Sequence, residues 1–166
     1  FIAIIIAQMT THIRKGTRTD LSAVLDLIKE LAEYEKALGE VSISLEELEV
    51  DGFGTHPEYW FLVAEVDGEI VGISFYYIRY STWKGRFLYL EDLVVKEAYR
   101  RKGVGAALFE ETIRVAQEIK VNGMTWQVLD WNTLAIDFYK KYSADLDDGW
   151  INGKLVKEQI TDFRFK

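Results

Sequence analysis

Residues 89–118, YLEDLVVKEAYRRKGVGAALFEETIRVAQE, admit few arrangements other than a strand, a basic glycine loop and a helix in direct succession. Leu88, Tyr89, Leu90, Leu93, Val94 and Val95 are the aromatic and aliphatic residues of a strand. Glu91 and Asp92 interrupt them, and ionised carboxylates in such a strand are costly unless they bend it, face a solvent cleft or do chemistry. Beyond the strand, Val104, Leu108, Val115 and Ile119 recur at helical spacing, flanked by Phe109, Ile113 and Ala116. The loop therefore opens directly into an amphipathic helix.

A helix start leaves backbone N–H groups without partners and carries the positive end of the helix dipole. Here it is preceded by Arg100, Arg101 and Lys102, and Gly103 and Gly105 let a ligand approach the main chain. That combination predicts an anion site, above all for phosphate. The dinucleotide fingerprint G-x-G-x-x-G is excluded because Leu108 stands where its third glycine belongs.

The rest of the 166 residues read as one domain, with 49% hydrophobic and 14% aromatic content. A strand over 10–14 leads through Gly16 to a helix capped by Thr19 or Asp20, with Leu21, Val24, Leu25, Ile28, Leu31 and Ala32 as its buried stripe. Tyr34 and Glu35 sit at its end. Ser44 and Glu47 form a capping box for a helix over 44–50, and residues 52–57 break the chain. Strands over 59–66 and 70–80 join through Asp67-Gly68, a hairpin signal, and the turn at Trp83-Lys84-Gly85 leads to a third strand over 86–95. A strand over 125–129, a helix from Asn132 or Thr133 through Lys141 with Leu134, Phe138 and Tyr142 inward, and closing strands over 144–150 and 154–160 complete the expectation.

Charge and residue usage narrow the function. Twenty-seven acidic against twenty basic residues give a formal charge of -7, which disfavours nucleic acid and anionic membranes and steers a cationic substrate favourably. No cysteine is present and histidine is limited to His12 and His56, so thiol nucleophiles are excluded and no metal site is expected. The apolar residues 1–7 are far shorter than the roughly 20 residues that span a bilayer. Residues 1–8 read as an extension, with an added edge strand as the competing reading, and the protein reads as cytoplasmic.

Arg100-x-x-Gly103-x-Gly105 after an acidic strand resembles the coenzyme loop of the GNAT N-acetyltransferases. The run from Arg79 to Arg86, Tyr89-Leu90-Glu91-Asp92, Leu129-Asp130-Trp131-Asn132 and Phe138-Tyr139-Lys140 are similar to the spermidine/spermine acetyltransferase subfamily, and closest to its thialysine branch. The resemblance spans residues 13–150. It implies an α/β fold with a mixed, mostly antiparallel sheet and helices on both faces, with acetyl-CoA as cosubstrate. By the same resemblance the loop from Arg100 to Ala106, with Asn132 and Ala135, holds the coenzyme, and main-chain groups of Leu93, Val94 and Val95 pair with its amides. The carboxylate strand is expected to bulge and splay from its neighbour.

An alkyl ammonium with a pKa near ~10.4 is almost wholly protonated at neutral pH and cannot attack a thioester, so a base is required. Glu91 is the candidate, acting through water, and the resemblance implies that Tyr139 is the acid that protonates the departing thiolate. Asp92, read as alternating to the other face, either grips the substrate's cationic end or is structural. Trp83 offers apolar and cation–π contact, and Tyr34, Glu35, Asp92 and Asp148 are the candidates to surround the charge. With no cysteine to carry an acetyl group, attack is direct.

Ser81 stands where the spermine-acting branch has an acid, which favours a shorter amine, and Ser143 replaces a glycine usual after the tyrosine helix. The resemblance also implies a homodimer. The rival readings are acetylation of a peptide N-terminus and a non-catalytic coenzyme or polyamine sensor.

Overall fold

The computed structural model describes residues 10–164, and the reading of residues 1–8 lies outside them. The chain forms two compact units, Phe1–Gln127 and Val128–Lys166. In the first, five strands lie in chain order: β1 (His12–Lys15), β2 (Trp60–Val66), β3 (Glu69–Ser81), β4 (Gly85–Val95) and β5 (Met124–Trp126). The first four are antiparallel and β5 joins β4 in parallel, so the sheet is mixed as expected. Asp67 and Gly68, both at positive φ (50° and 82°), close the β2–β3 hairpin, where a primed turn requires that conformation.

Side-chain alternation sorts the sheet into two faces. Val63, Ile73, Phe75, Tyr77 and Val94 face α1 (Leu21–Tyr34), whose Leu21, Val24 and Leu27 are buried against them. Leu27 belongs to the stripe and was absent from the expected set, whereas Leu25, Ile28 and Leu31 are only partly covered. Helix α2 (Leu45–Phe53) adds Leu48 to this core and starts at the predicted box: Ser44 Oγ accepts from Glu47 N–H and Glu47 Oε2 from Ser44 N–H. The helix continues through Gly52 and Phe53, into the start of the expected break.

The opposite face packs on α3 (Val104–Glu118), which buries Val104, Leu108, Phe109, Thr112 and Val115. Ser74 of β3 and Thr112 of α3 share a buried hydroxyl hydrogen bond of 2.6 Å, which satisfies two polar groups that burial would otherwise penalise. At the start of α1, Asp20 accepts two hydrogen bonds from Arg14 and two from Thr17. The Arg14 guanidinium holds its carboxyl at about 2, well below the usual range.

The second unit contains α4 (Thr133–Lys140) and a short α5 (Lys157–Thr161). Asn132 caps α4, its side-chain oxygen accepting from Ala135 N–H. Of the residues expected inward, Leu134 is 57% exposed; the buried residue of α4 is Tyr139. The expected closing strands are not formed: residues 144–156 have no regular structure, and 157–161 turn into α5. Trp150 and Ile151 stand exposed, with no strand paired to them among the described residues to bury them.

Candidate active site

The site is built on an irregularity in β4. Leu90 lies opposite Tyr76 and Asp92 opposite Phe75, which leaves Glu91 with no residue across from it. One extra residue in one strand is a β-bulge, and it cancels the alternation of faces over that step. Tyr89 pairs with Tyr77, and Tyr77 and Phe75 share the α1 face, so Asp92 lies on that face too. This corrects the expectation that Asp92 alternates away.

The pairing of β4 with β5 covers only Leu88, Tyr89 and Leu90, opposite Met124, Thr125 and Trp126. From Glu91 onward, β4 has no strand partner on that side among the described residues. Lys96 N–H donates to Val71 O, and alternation of the main chain therefore turns Val94 toward β3, leaving Leu93 and Val95 facing outward. Within the expected trio, Leu93 and Val95 present main chain at the open edge; the Val94 side chain is core.

The bulge also sets the electrostatics. The Asp92 carboxyl is pushed up to about 7, first by burial, then by the charges of Glu91 and of Glu35 at the end of α1. Burial raises Glu35 and Glu91 as well. Glu91 in turn adds to the effect of burial on Tyr77 and Tyr89, whose rings lie 5.1 Å apart. Three carboxyls from β4 and α1 thus share one field, and proton affinity is raised at all three. Tyr77 and Tyr89 were absent from the sequence candidates, although Tyr89 stands two residues before Glu91 and marks the same face.

The loop after β4 is shaped by Arg101 and Gly103, both at positive φ (58° and 86°). Gly103 caps α3 without a side chain, so no side chain covers the first N–H groups. Gly105 lies in the first turn of α3, where glycine costs up to about 1 kcal/mol against alanine. A Cβ there would meet only Val95 Cγ2, at 3.7 Å, so no protein neighbour demands the glycine. An approaching ligand would. Arg101 and Lys102 are exposed beside this start. Arg100 is engaged within the protein: its Nε donates to Val95 O at 2.9 Å and its guanidinium stacks 5.2 Å from the Tyr34 ring. It ties the end of α1 to the end of β4.

Trp83 is 89% exposed in the β3–β4 turn. Ser81 Oγ accepts from the N–H groups of Trp83 and Lys84, so the serine holds this turn. Asn132, Ala135, Tyr139 and Asp148 lie in the second unit, with Tyr139 buried and Asp148 exposed. There Asp147 accepts hydrogen bonds from Gly149 N–H and Trp150 Nε1. Ser143 adopts φ 57°, the conformation that a glycine after a helix would take without strain.

No group of three or more His, Cys, Asp or Glu that could hold a metal exists among the described residues, and none of their helices is long and apolar enough to cross a membrane.

The first unit thus holds a bulged carboxylate, an open strand edge and an unblocked, glycine-bearing helix start. The acetyltransferase (GNAT) family model matches residues 23–143. The chain is 45% identical over 161 residues to the thialysine N-epsilon-acetyltransferase of Bos taurus, covering 88% of this chain and 95% of that one. It is 43% identical over 165 residues to the Sus scrofa protein of the same name, covering 93% and 97%. An integron cassette protein from the mobile metagenome of V. cholerae shares the fold, with a TM-score of 0.74 at 20% identity over 92% of this chain and 96% of that one. The chain belongs to the GNAT acetyltransferase family, and it is an N-acetyltransferase.

Proposed function

We propose that this enzyme transfers the acetyl group of acetyl-CoA to a primary amine of a small cationic substrate of the thialysine or short diamine kind, with Glu91 as base and Tyr139 as acid. One observation carries the reading: the bulge sets Glu91 and Asp92 on the face shared with Glu35, where β4 parts from β5. The names of the related thialysine acetyltransferases point to the same substrate class.

GNAT enzymes draw the acetyl group from the thioester of acetyl-CoA. The residues present fit that donor: Gly103 and Gly105 leave the start of α3 accessible to phosphate, and Leu93 and Val95 offer outward main-chain groups to amides. Arg101 and Lys102 add positive charge, while Arg100 fixes the Val95 carbonyl. Asn132 and Ala135 are assigned to coenzyme contact and Tyr139 to protonation of the thiolate on the family resemblance.

The carboxyl cluster attracts an ammonium group. Glu91, whose proton affinity burial raises, takes a proton from the amine directly or through one water. Asp92 and Glu35 balance the remaining positive charge, and Tyr34, Trp83 and Asp148 complete the proposed substrate contacts. The neutral amine then attacks the thioester carbonyl, the C–S bond breaks and the thiolate takes a proton from Tyr139, while the proton shed by the acylated nitrogen passes through solvent to restore the Tyr139 hydroxyl. The proposal includes a cytoplasmic location, read from the sequence, and a homodimer, on the resemblance alone.

The test is thiol release from acetyl-CoA across thialysine, lysine, putrescine, spermidine, spermine and a peptide, with Glu91→Gln and Tyr139→Phe in parallel. Turnover confined to small amines and depressed in both variants is the expected result. Preference for the peptide overturns the substrate class; coenzyme binding without turnover on any amine overturns the enzyme reading.

A further inference from the structure

The first unit holds a cavity of about 310 Å³ whose floor includes Trp60, Tyr76 and Ile78 of the sheet and Ile119 just past α3. Tyr76 and Ile78 alternate in step with Ser74, which touches α3, so these two lie on the sheet face opposite the carboxyl cluster, while Phe53, Tyr59 and Phe61 line the cavity from the other side. The cavity lies by the C-terminal end of α3, whereas Gly105 lies at the N-terminal end, ~20 Å away at 1.5 Å per residue.

Three features mark it as built to receive something. Tyr76 is only 5% exposed, its hydroxyl makes no hydrogen bond within the described residues, and the oxygen itself is not sealed from solvent, so it is open to a ligand. Burial, reinforced by the charge of Glu118, pushes that hydroxyl up to about 12 and so keeps it a donor. At the rim, the side chains of Lys15, Arg86 and Glu118 take part in none of the ion pairs or hydrogen bonds among the described residues. In a protein of net charge -7, two unengaged cations against one carboxylate make this rim locally positive. Trp60, 43% exposed opposite Tyr76, supplies an open aromatic face.

We propose that this cavity is a second ligand site, separate from the acetyl-transfer site, for a small aromatic monocarboxylate. The ring lies against Trp60 and Ile78, the carboxylate meets Arg86 and Lys15 at the rim, and the Tyr76 hydroxyl donates to the ligand. The volume suits one ring with a short acidic side chain.

The test uses the full chain with phenylacetate as the probe and its neutral amide as the control, followed by saturation-transfer NMR. Saturable phenylacetate binding is expected, about tenfold tighter than the amide, because the charge-assisted contact is lost in the latter. Arg86→Gln weakens it by a similar factor and Tyr76→Phe by several-fold, while acetyl-CoA neither competes nor is turned over differently by these variants. Absence of saturation up to about 10 mM, a Kd at which binding is worth under about 3 kcal/mol, overturns the site. So does equal binding of the amide, competition by acetyl-CoA, or binding untouched by both substitutions.

Discussion

The two halves of β4 are made of similar residues and do opposite things. Up to Leu90 the strand is held by β3 on one side and, over Leu88, Tyr89 and Leu90, by β5 on the other; those three are 0%, 9% and 1% exposed. From Glu91 to Val95 it is held by β3 alone, and two carboxyls sit where the first half has hydrophobic residues. The dividing line is one residue wide. A single strand can therefore be stabilising along one stretch and electrostatically strained along the next, because the bulge both ends the parallel pairing and gathers like charges.

The sharpest test of that division is Glu91→Gln, expected to lower kcat by about 10²–10⁴, the usual contribution of a general base, with little change in melting temperature. Measured together, kcat and Tm decide it: a large loss of stability would place Glu91 with the structural half. Leu90→Ala is the mirror case, expected to cost about 2–5 kcal/mol in denaturant unfolding, as for other fully buried leucines. A harmless Leu90→Ala would erase the contrast.

Asp92→Asn acts with the opposite sign on stability. The folded-state carboxyl titrates at about 7, against ~3.9 in an unfolded chain. Below pH 4 both states hold the proton and the carboxyl has no effect. Between pH 4 and 7 the unfolded state alone releases it, and the native state loses stability until both are ionised. Asparagine removes that loss, so the variant should gain on the order of 1–2 kcal/mol at pH 8, discounted for partial exposure, and nothing at pH 4. Parallel Tm-against-pH curves for the two proteins would refute it. The smallest effect is Gly105→Ala. It should stabilise by up to about 1 kcal/mol, since the added methyl meets only Val95, while raising KM for acetyl-CoA. An unchanged KM would show that nothing approaches the main chain there.

Elements with local chemical signals were legible in the sequence. Asp67-Gly68 fixes a hairpin, Ser44 and Glu47 fix a helix start, and the glycine loop runs into α3 where periodicity places it. What depended on distant partners was not. Residues 144–150 and 154–160 read as two strands, but a strand needs a neighbour's hydrogen bonds, and no ladder is formed there. Leu134 and Leu27 show the same limit for helices: spacing defines a stripe, and the packing partner decides its centre. In the site, Glu91 was identifiable as a carboxylate out of place, but the face of Asp92 was not, because a bulge is a mismatch in length between two strands. Arg100 read as a coenzyme ligand from its neighbours, and only its contacts with Val95 and Tyr34 reveal its internal engagement.

The bulge also makes Glu91 unusual with respect to deletion. Removing most residues from a strand reverses the facing of everything beyond them. Removing residue 91 would instead leave Leu90 and Asp92 adjacent on the opposite faces they already occupy, opposite Tyr76 and Phe75 in an unbroken ladder. The sheet is thus complete without the residue proposed to carry the chemistry. In sequence terms, the carboxylate proposed to react has the form of a one-residue insertion into an otherwise regular strand pair.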